Sequence, residues 1–380
     1  MARMHIVLSA PNTLGYPEGG HIWVFINWAI GFRSLGHEVT WLDVAHDKDS
    51  PETVAGLLAE MRSRLAPYGL DRSIALCTES GDALAQESAL GLVPLEKALS
   101  ADLLCDHRYN LPAKVVEPIR KSMLVDIDPG QFHVALDVGT YTLAPHDHYF
   151  TIGEWVKFTD AQPAMFNTHG FAWRYTPPPV ALDLWPVTPP GPDAAFTTVS
   201  NWFMSNEWMP DPEGNWYNNS KREAFQDYLD LPQTSPRPME LCLNIGTHQP
   251  EIDLLQGKGW RVVKSPTVGH PEVYRKYLQN SLAEFSCAKP AYVRMKTGWL
   301  SDRTVCYLAS GKPVVIQKTG QSDLFPDHEG MLRFDTPEEA RRQIADVCAN
   351  YDQHAKAARA IAETHLDAKK VLTKVLEQCV

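Results

Sequence analysis

The stretch Val293-Arg-Met-Lys-Thr-Gly-Trp-Leu-Ser-Asp-Arg-Thr-Val-Cys-Tyr-Leu-Ala-Ser-Gly-Lys-Pro-Val-Val-Ile316 is the part of the chain whose reading decides the fold. Ser301 is a helix-capping residue type, and residues 301–310 read as a helix closed by Gly311. Residues 313–317 then form a short apolar, β-branched run of strand type. A loop, a helix, a glycine and a strand in that order make one step of a β/α alternation. Residues 196–199, 241–245, 260–263 and 284–287 are four earlier strand candidates, and 221–229 and 271–279 are helical stretches among them. This rhythm predicts a doubly wound parallel sheet.

The same rhythm opens the chain. Residues 4–10 read as a strand, 11–20 as a Pro/Gly loop, 21–35 as a helix stopped by Gly36, and 38–42 as the next strand. Such a β-α-β unit places its glycine loop at the carboxyl edge of the sheet, where ligands bind. Residues 123–127 read as a later strand of that sheet, ending at Asp128. Residues 175–192, with three consecutive prolines and a second Pro/Gly group, exclude helix and central strand and hold the linker in their second half. The expected division is 1–185, 186–360 and a terminal helix 361–380 returning to the first domain.

Composition agrees with two globular domains. At 380 residues the chain exceeds the size at which one core keeps growing, and 44% hydrophobic with 21% charged residues is ordinary for soluble domains. The net charge of -11 gives no chain-wide attraction for a phosphate backbone. Seven scattered cysteines without a C-x-x-C pair suit reduced thiols. With no signal-peptide pattern after Met1 and no apolar run of spanning length, the expected location is the cytoplasm.

The quoted run, continued to Lys318-Thr319-Gly320, resembles the donor-binding segment of GT-B glycosyltransferases. In those enzymes a strand leads into a loop, the loop into a helix ending in small residues, and Gly-x-Pro-Val-Val opens the next strand. Residues 259–263, the loop 264–270, and residues 271–274 and 283–286 are similar to the preceding strand, base-contacting loop, helix and strand. Gly19-Gly20 and residues 35–39 look like the first β-α-β of the same enzymes.

The resemblance implies two tandem Rossmann-like α/β domains facing a cleft. The co-substrate would be a nucleotide diphosphate sugar, with no tightly bound cofactor and no metal. The implied donor-binding residues are Gly19, Gly20, Ser200, Asn201, Lys264, Pro266, Val268, Glu284, Lys296, Thr297, Gly298, Ser301, Asp302, Arg303, Thr319 and Gly320. A helix start at Ser301 offers free N–H groups and positive potential to the leaving diphosphate, with Arg303 and Lys296 adding charge-assisted hydrogen bonds. Two glutamates spaced around this helix in many retaining members fall here on Gly298 and Cys306, so the stereochemical outcome stays open.

His21, at the start of the first helix like the catalytic histidine of plant-type and antibiotic-type members, is the expected base, oriented by Asp128. The helix N-terminus is expected to keep it neutral. Trp155, Trp173, Trp185 and Trp208 are candidates for an acceptor wall.

The acceptor stays open among a small molecule, a glycan and a modified DNA base, the last as in phage DNA glucosyltransferases. Outside glycosyl transfer, a dinucleotide-dependent oxidoreductase and a non-catalytic two-lobed binding protein also fit two nucleotide-type folds. Against the first, the glycines between 15 and 20 do not space as G-x-G-x-x-G.

Overall fold

The structure is a computed structural model describing residues 2–156, 166–203, 207–211, 213–325 and 329–379. The first sheet contains β1 (His5–Ser9), β2 (Glu38–Ala45), β3 (Ile74–Thr78), β4 (Leu103–Asp106), β5 (Ser122–Asp126), β6 (His148–Thr151) and β7 (Trp173–Tyr175). Its order is β3-β2-β1-β4-β5-β6-β7, with every neighbouring pair parallel.

The second sheet begins with β8 (Phe196–Asn201), after which β9 (Trp208–Pro210) and β10 (Trp216–Asn218) form a separate antiparallel hairpin. It continues with β11 (Met239–Asn244), β12 (Arg261–Lys264), β13 (Ala283–Ser286), β14 (Val314–Gln317) and β15 (Met331–Phe334). The order is β12-β11-β8-β13-β14-β15, again all parallel. These strands are short apolar runs because both faces of a parallel sheet are covered by helices. Each order reverses direction once, between β1 and β4 and between β8 and β13, which opens a crevice at the carboxyl edge of each sheet.

The first helix, Gly19–Ser34, is buried on most of its surface, with Ile22, Trp23, Phe25, Trp28 and Phe32 all inside. A helix apolar all round needs partners on every side. Its partners include the first sheet, the helix Pro271–Asn280, the helix Asp302–Ala309 and the last helix, Ala368–Cys379. At Gly31 an added Cβ would lie 2.5 Å from Leu372 Cδ1, so this glycine is what lets the last helix approach. The chain recrosses beside its own linker, where Ala368 N donates to Val180 O (2.9 Å) and Val180 N to Leu366 O (2.8 Å). One cluster of buried side chains therefore runs continuously from Trp23 and Trp185 through Tyr274 and Leu308 to Leu372.

Some elements differ from the sequence reading. The first three residues of the quoted run belong to a short helix, Pro290–Met295, and the strand before it ends at Ser286. The hairpin and β15 are additions to the sequence reading, although the turn-type residues 211–215 between two tryptophans and the apolar run after Gly330 carry a signal for each. Trp173 and Trp185 are core side chains, the latter packed 4.6 Å from Trp23, so neither forms an acceptor wall. All seven cysteines are free. No helix among the described residues is long and apolar enough to cross a membrane.

Candidate functional site

The two crevices face each other and share one cavity of about 340 Å³. From the first domain it is lined by the glycine loop and the start of the first helix. Gly20 has no room for a side chain, because a Cβ there would sit 2.8 Å from the Tyr274 hydroxyl of the opposite domain. The preceding loop is pinned by buried Asp43, which accepts from Thr13 Oγ1 (3.0 Å), Leu14 N (2.7 Å) and Asn12 N (3.2 Å) and pairs with Arg108 at 3.2 Å. That loop supplies the Pro11 carbonyl, which lies 2.8 Å from His21 Nε2. A carbonyl only accepts, so Nε2 carries the proton and the lone pair of neutral His21 is on Nδ1. Burial holds its pKa below the ordinary histidine value, against the opposing pull of the Pro11 carbonyl, Asp43 and Asp128.

Asp128 follows β5 and reaches the same cavity. Its Oδ1 accepts from the Tyr292 hydroxyl at 2.6 Å, and its amide is held by Asp126 Oδ1 at 2.9 Å. Among the described residues the hydrogen-bond partner of the imidazole is Pro11 and that of the Asp128 carboxylate is Tyr292 from across the cleft, while the Asp128 charge still acts on His21. The Tyr292 ring stacks on Trp299 at 3.9 Å and 4°. Burial, and then the charge of Asp128, push Asp126 up to about 7.

From the second domain come Ser200 and Asn201 at the end of β8, Val268, and the start of the helix Asp302–Ala309. Ser301 caps that helix, its Oγ accepting from Arg303 N at 3.3 Å. Asp302 is raised to about 7 by burial and by the nearby Asp128. The Arg303 guanidinium uses its fork on Glu284 Oε1 (2.8 Å), Val199 O (2.8 Å) and Ser286 Oγ (2.7 Å) while still lining the cavity. Two further cations stand beside it, Lys221 and Lys289. Lys221 Nζ donates to Cys287 O, and burial lowers its pKa to about 7; burial also lowers Lys289.

The structure thus brings together Gly19, Gly20, His21, Asp128, Ser200, Asn201, Val268, Ser301, Asp302 and Arg303. It does not bring the other expected residues to the cavity wall. Glu284 is fully buried beneath Arg303 and pairs with it at 2.8 Å. Lys264 and Pro266 point to solvent from the outer part of their loop.

Lys296 ends the Pro290–Met295 helix in the left-handed conformation (φ 49°) and lines an outer cavity with Lys318 and Gly320. Thr297 and Gly298 serve the contact between domains, and Thr319 supports them from within the second domain. Trp155 N donates to Thr297 O (3.0 Å), Gly298 N to Thr319 O (2.8 Å), and a Cβ on Gly298 would meet Trp155 at 2.8 Å. Gly320 is packed on the Lys296 carbonyl.

Lys221, Lys289, Tyr274, Tyr292 and Trp299 were missed. One signal was legible: Lys221-Arg222 stand in the first turn of a helix capped by Ser220, where the helix dipole disfavours cations unless an anion is nearby.

Residues 248–377 match the family model described as glycosyl transferase-like. No curated protein matches the sequence. Among solved structures, HepE of Anabaena in complex with UDP-glucose is 12% identical over 99% of both chains, with a TM-score of 0.59. An α-glucosyltransferase in complex with UDP-glucose and DNA containing an abasic site is 13% identical over 99% of both chains, TM-score 0.60. Sucrose-phosphate synthase from Thermosynechococcus elongatus is 12% identical over 99% of this chain and 98% of its own, TM-score 0.57. At such identities the likeness establishes the fold, which is GT-B: two parallel-sheet α/β domains of seven and six strands across a cleft.

Proposed function

We propose that this chain is a glycosyltransferase that moves a sugar from a nucleoside diphosphate donor to an acceptor hydroxyl. The observation that carries the reading is the convergence of Arg303, Lys221, Lys289 and a helix N-terminus on one cavity, opposite a neutral histidine. Arg303, two buried lysines that a bound anion would hold protonated, and a helix N-terminus converging on one cavity match a diphosphate. Each charge-assisted hydrogen bond to it is worth about 1.5–3 kcal/mol. Negative charge grows on the diphosphate as its bond to the anomeric carbon breaks, so these groups favour the transition state over the ground state. The cations supply the neutralisation that a divalent metal would otherwise give, and chelation is expected to leave turnover intact.

In this reading 1–185 holds the acceptor and 186–360 the donor. The acceptor oxygen attacks the anomeric carbon, the nucleoside diphosphate departs, and the hydroxyl proton passes to His21 Nδ1. Ser200 and Asn201 approach the phosphates from the end of β8, while Asp128 and Asp302 face the sugar hydroxyls. The family match over residues 248–377 and the UDP-glucose bound by two of the similar structures support this assignment.

The test is a thermal-shift series with UDP, GDP, ADP and TDP and their glucose conjugates, since a ligand at 100 times its Kd stabilises by about 2.7 kcal/mol. One nucleotide should raise Tm clearly, and K221M should abolish that rise. A flat response to every nucleotide sinks the assignment. His21→Ala should bind the nucleotide normally and lose at least a hundredfold in turnover.

A further inference from the structure

Between β8 and the helix carrying Lys221, both of which line the cleft, the chain detours into the hairpin β9–β10. Trp216 pairs with Pro210 and Trp208 with Asn218. Residues opposite each other, and residues two apart on one strand, share a face. Both tryptophans are therefore on one face of the hairpin, diagonal to each other at a spacing of about 7–8 Å.

That face is open: Trp208 is 55% and Trp216 62% exposed, although tryptophan is normally among the most buried side chains. The other face anchors the hairpin. Tyr217 lies under the Arg294 guanidinium, 4.3 Å from its ring centroid, on the same short helix that sends Tyr292 into the cleft. The foot of the hairpin bridges both domains, Asn219 Nδ2 donating to Gln131 Oε1 at 2.9 Å and Asn219 Oδ1 accepting from Ala291 N at 2.8 Å.

We propose that this two-tryptophan face is a stacking platform for an uncharged glycan, and that the acceptor is accordingly an oligosaccharide chain extending from the cleft. The inference rests on the glycosyl-transfer reading above. Its chemistry follows from the residues of 207–218. Indole faces pack against the C–H faces of sugar rings, and two of them lie under neighbouring units of one chain.

The segment carries Glu207, Asp211 and Glu213 and no lysine or arginine. A nucleic acid or an anionic bilayer binds through cations and is repelled here. A polyhydroxyl chain instead gains acceptors for its hydroxyl protons from such carboxylates and amides. Continuity with the cleft sets the partner's length: it must reach from Asp128 and His21 to the hairpin.

The test uses the full chain, titrated calorimetrically with maltohexaose, cellohexaose and chitohexaose, alongside the nucleotide thermal shift. At least one hexasaccharide should bind, the double variant W208A/W216A should weaken it at least tenfold, and the nucleotide shift should be unchanged. W208F/W216F, which keeps aromatic faces, should retain most of the affinity. Equal affinity in the alanine variant, no binding of any hexasaccharide to the wild type, or binding to phosphatidylserine vesicles in their place would each overturn the platform. Loss of the nucleotide response in the wild type would instead overturn the parent reading.

Discussion

Arg303 shows how one side chain serves stability and chemistry together. Its fork joins β13, through Glu284 and Ser286, to the end of β8, through the Val199 carbonyl, and its partner Glu284 is wholly buried. Removing only the cation leaves a buried carboxylate uncompensated. R303M should lose about 3–5 kcal/mol in urea unfolding as well as nucleotide binding. Replacing both partners, R303M/E284L, should recover most of that stability and none of the binding, which separates the two roles.

Asp302 gives a pH signature. Its folded pKa is about 7, raised by burial and then by Asp128, against about 3.9 for an unfolded aspartate. Between those values the folded chain holds a proton that the unfolded chain releases, so its contribution to stability falls as pH rises from about 4 to about 7. Asp302→Asn removes that fall. Calorimetry should show the Tm of the variant gaining on the wild type across this window, and equal slopes would reject the assignment.

At the scale of elements, the close packing of the first and last helices rests on one hydrogen atom at Gly31. A methyl group there would meet Leu372 Cδ1 at 2.5 Å and Ala368 Cβ at 2.9 Å. Gly31→Ala gains helix propensity of about 1 kcal/mol, yet overpacking costs about 1–3 kcal/mol, so a net loss is expected. Leu372→Ala should relieve it, making the pair less destabilised than the two single losses summed; a guanidinium unfolding cycle measures this coupling.

The helices around the quoted run were readable because their ends are chemical: Ser301 caps, and Gly311 takes the left-handed conformation (φ 69°) that stops the chain. The short helix Pro290–Met295 was not. It has Pro at its start and a left-handed lysine at its end, a position that sequence rules reserve for glycine or asparagine.

For the whole molecule, the two domains are held closed by groups outside the reactive centre. Buried Glu154 accepts from the amides of Asp323 (2.8 Å) and Leu324 (3.1 Å) and from Ser322 Oγ. Beside it Trp155 N donates to Thr297 O at 3.0 Å. Glu154→Ala should open the cleft, which small-angle scattering would record as a larger radius of gyration that a bound nucleotide reduces; an unchanged radius would mean the packing of the first helix against the helix Pro271–Asn280 and the last helix sets the geometry without it.

What the sequence determined by itself was local and periodic. It held the alternation of short apolar runs with helices, the caps and glycine stops, the proline-rich crossing, and hence two doubly wound domains with His21, Asp128, Ser200, Asn201 and the 301–303 turn at carboxyl edges. Only the tertiary structure decided which of those edges meet. It set Lys221 and Lys289 at the cavity wall and Lys296 at an outer one, bonded His21 to Pro11 and Asp128 to Tyr292, and packed Glu284 beneath Arg303. Side-chain periodicity reports which face of an element is buried, whereas partners from distant segments are chosen by the packing of one domain against the other, and no spacing within one segment encodes that.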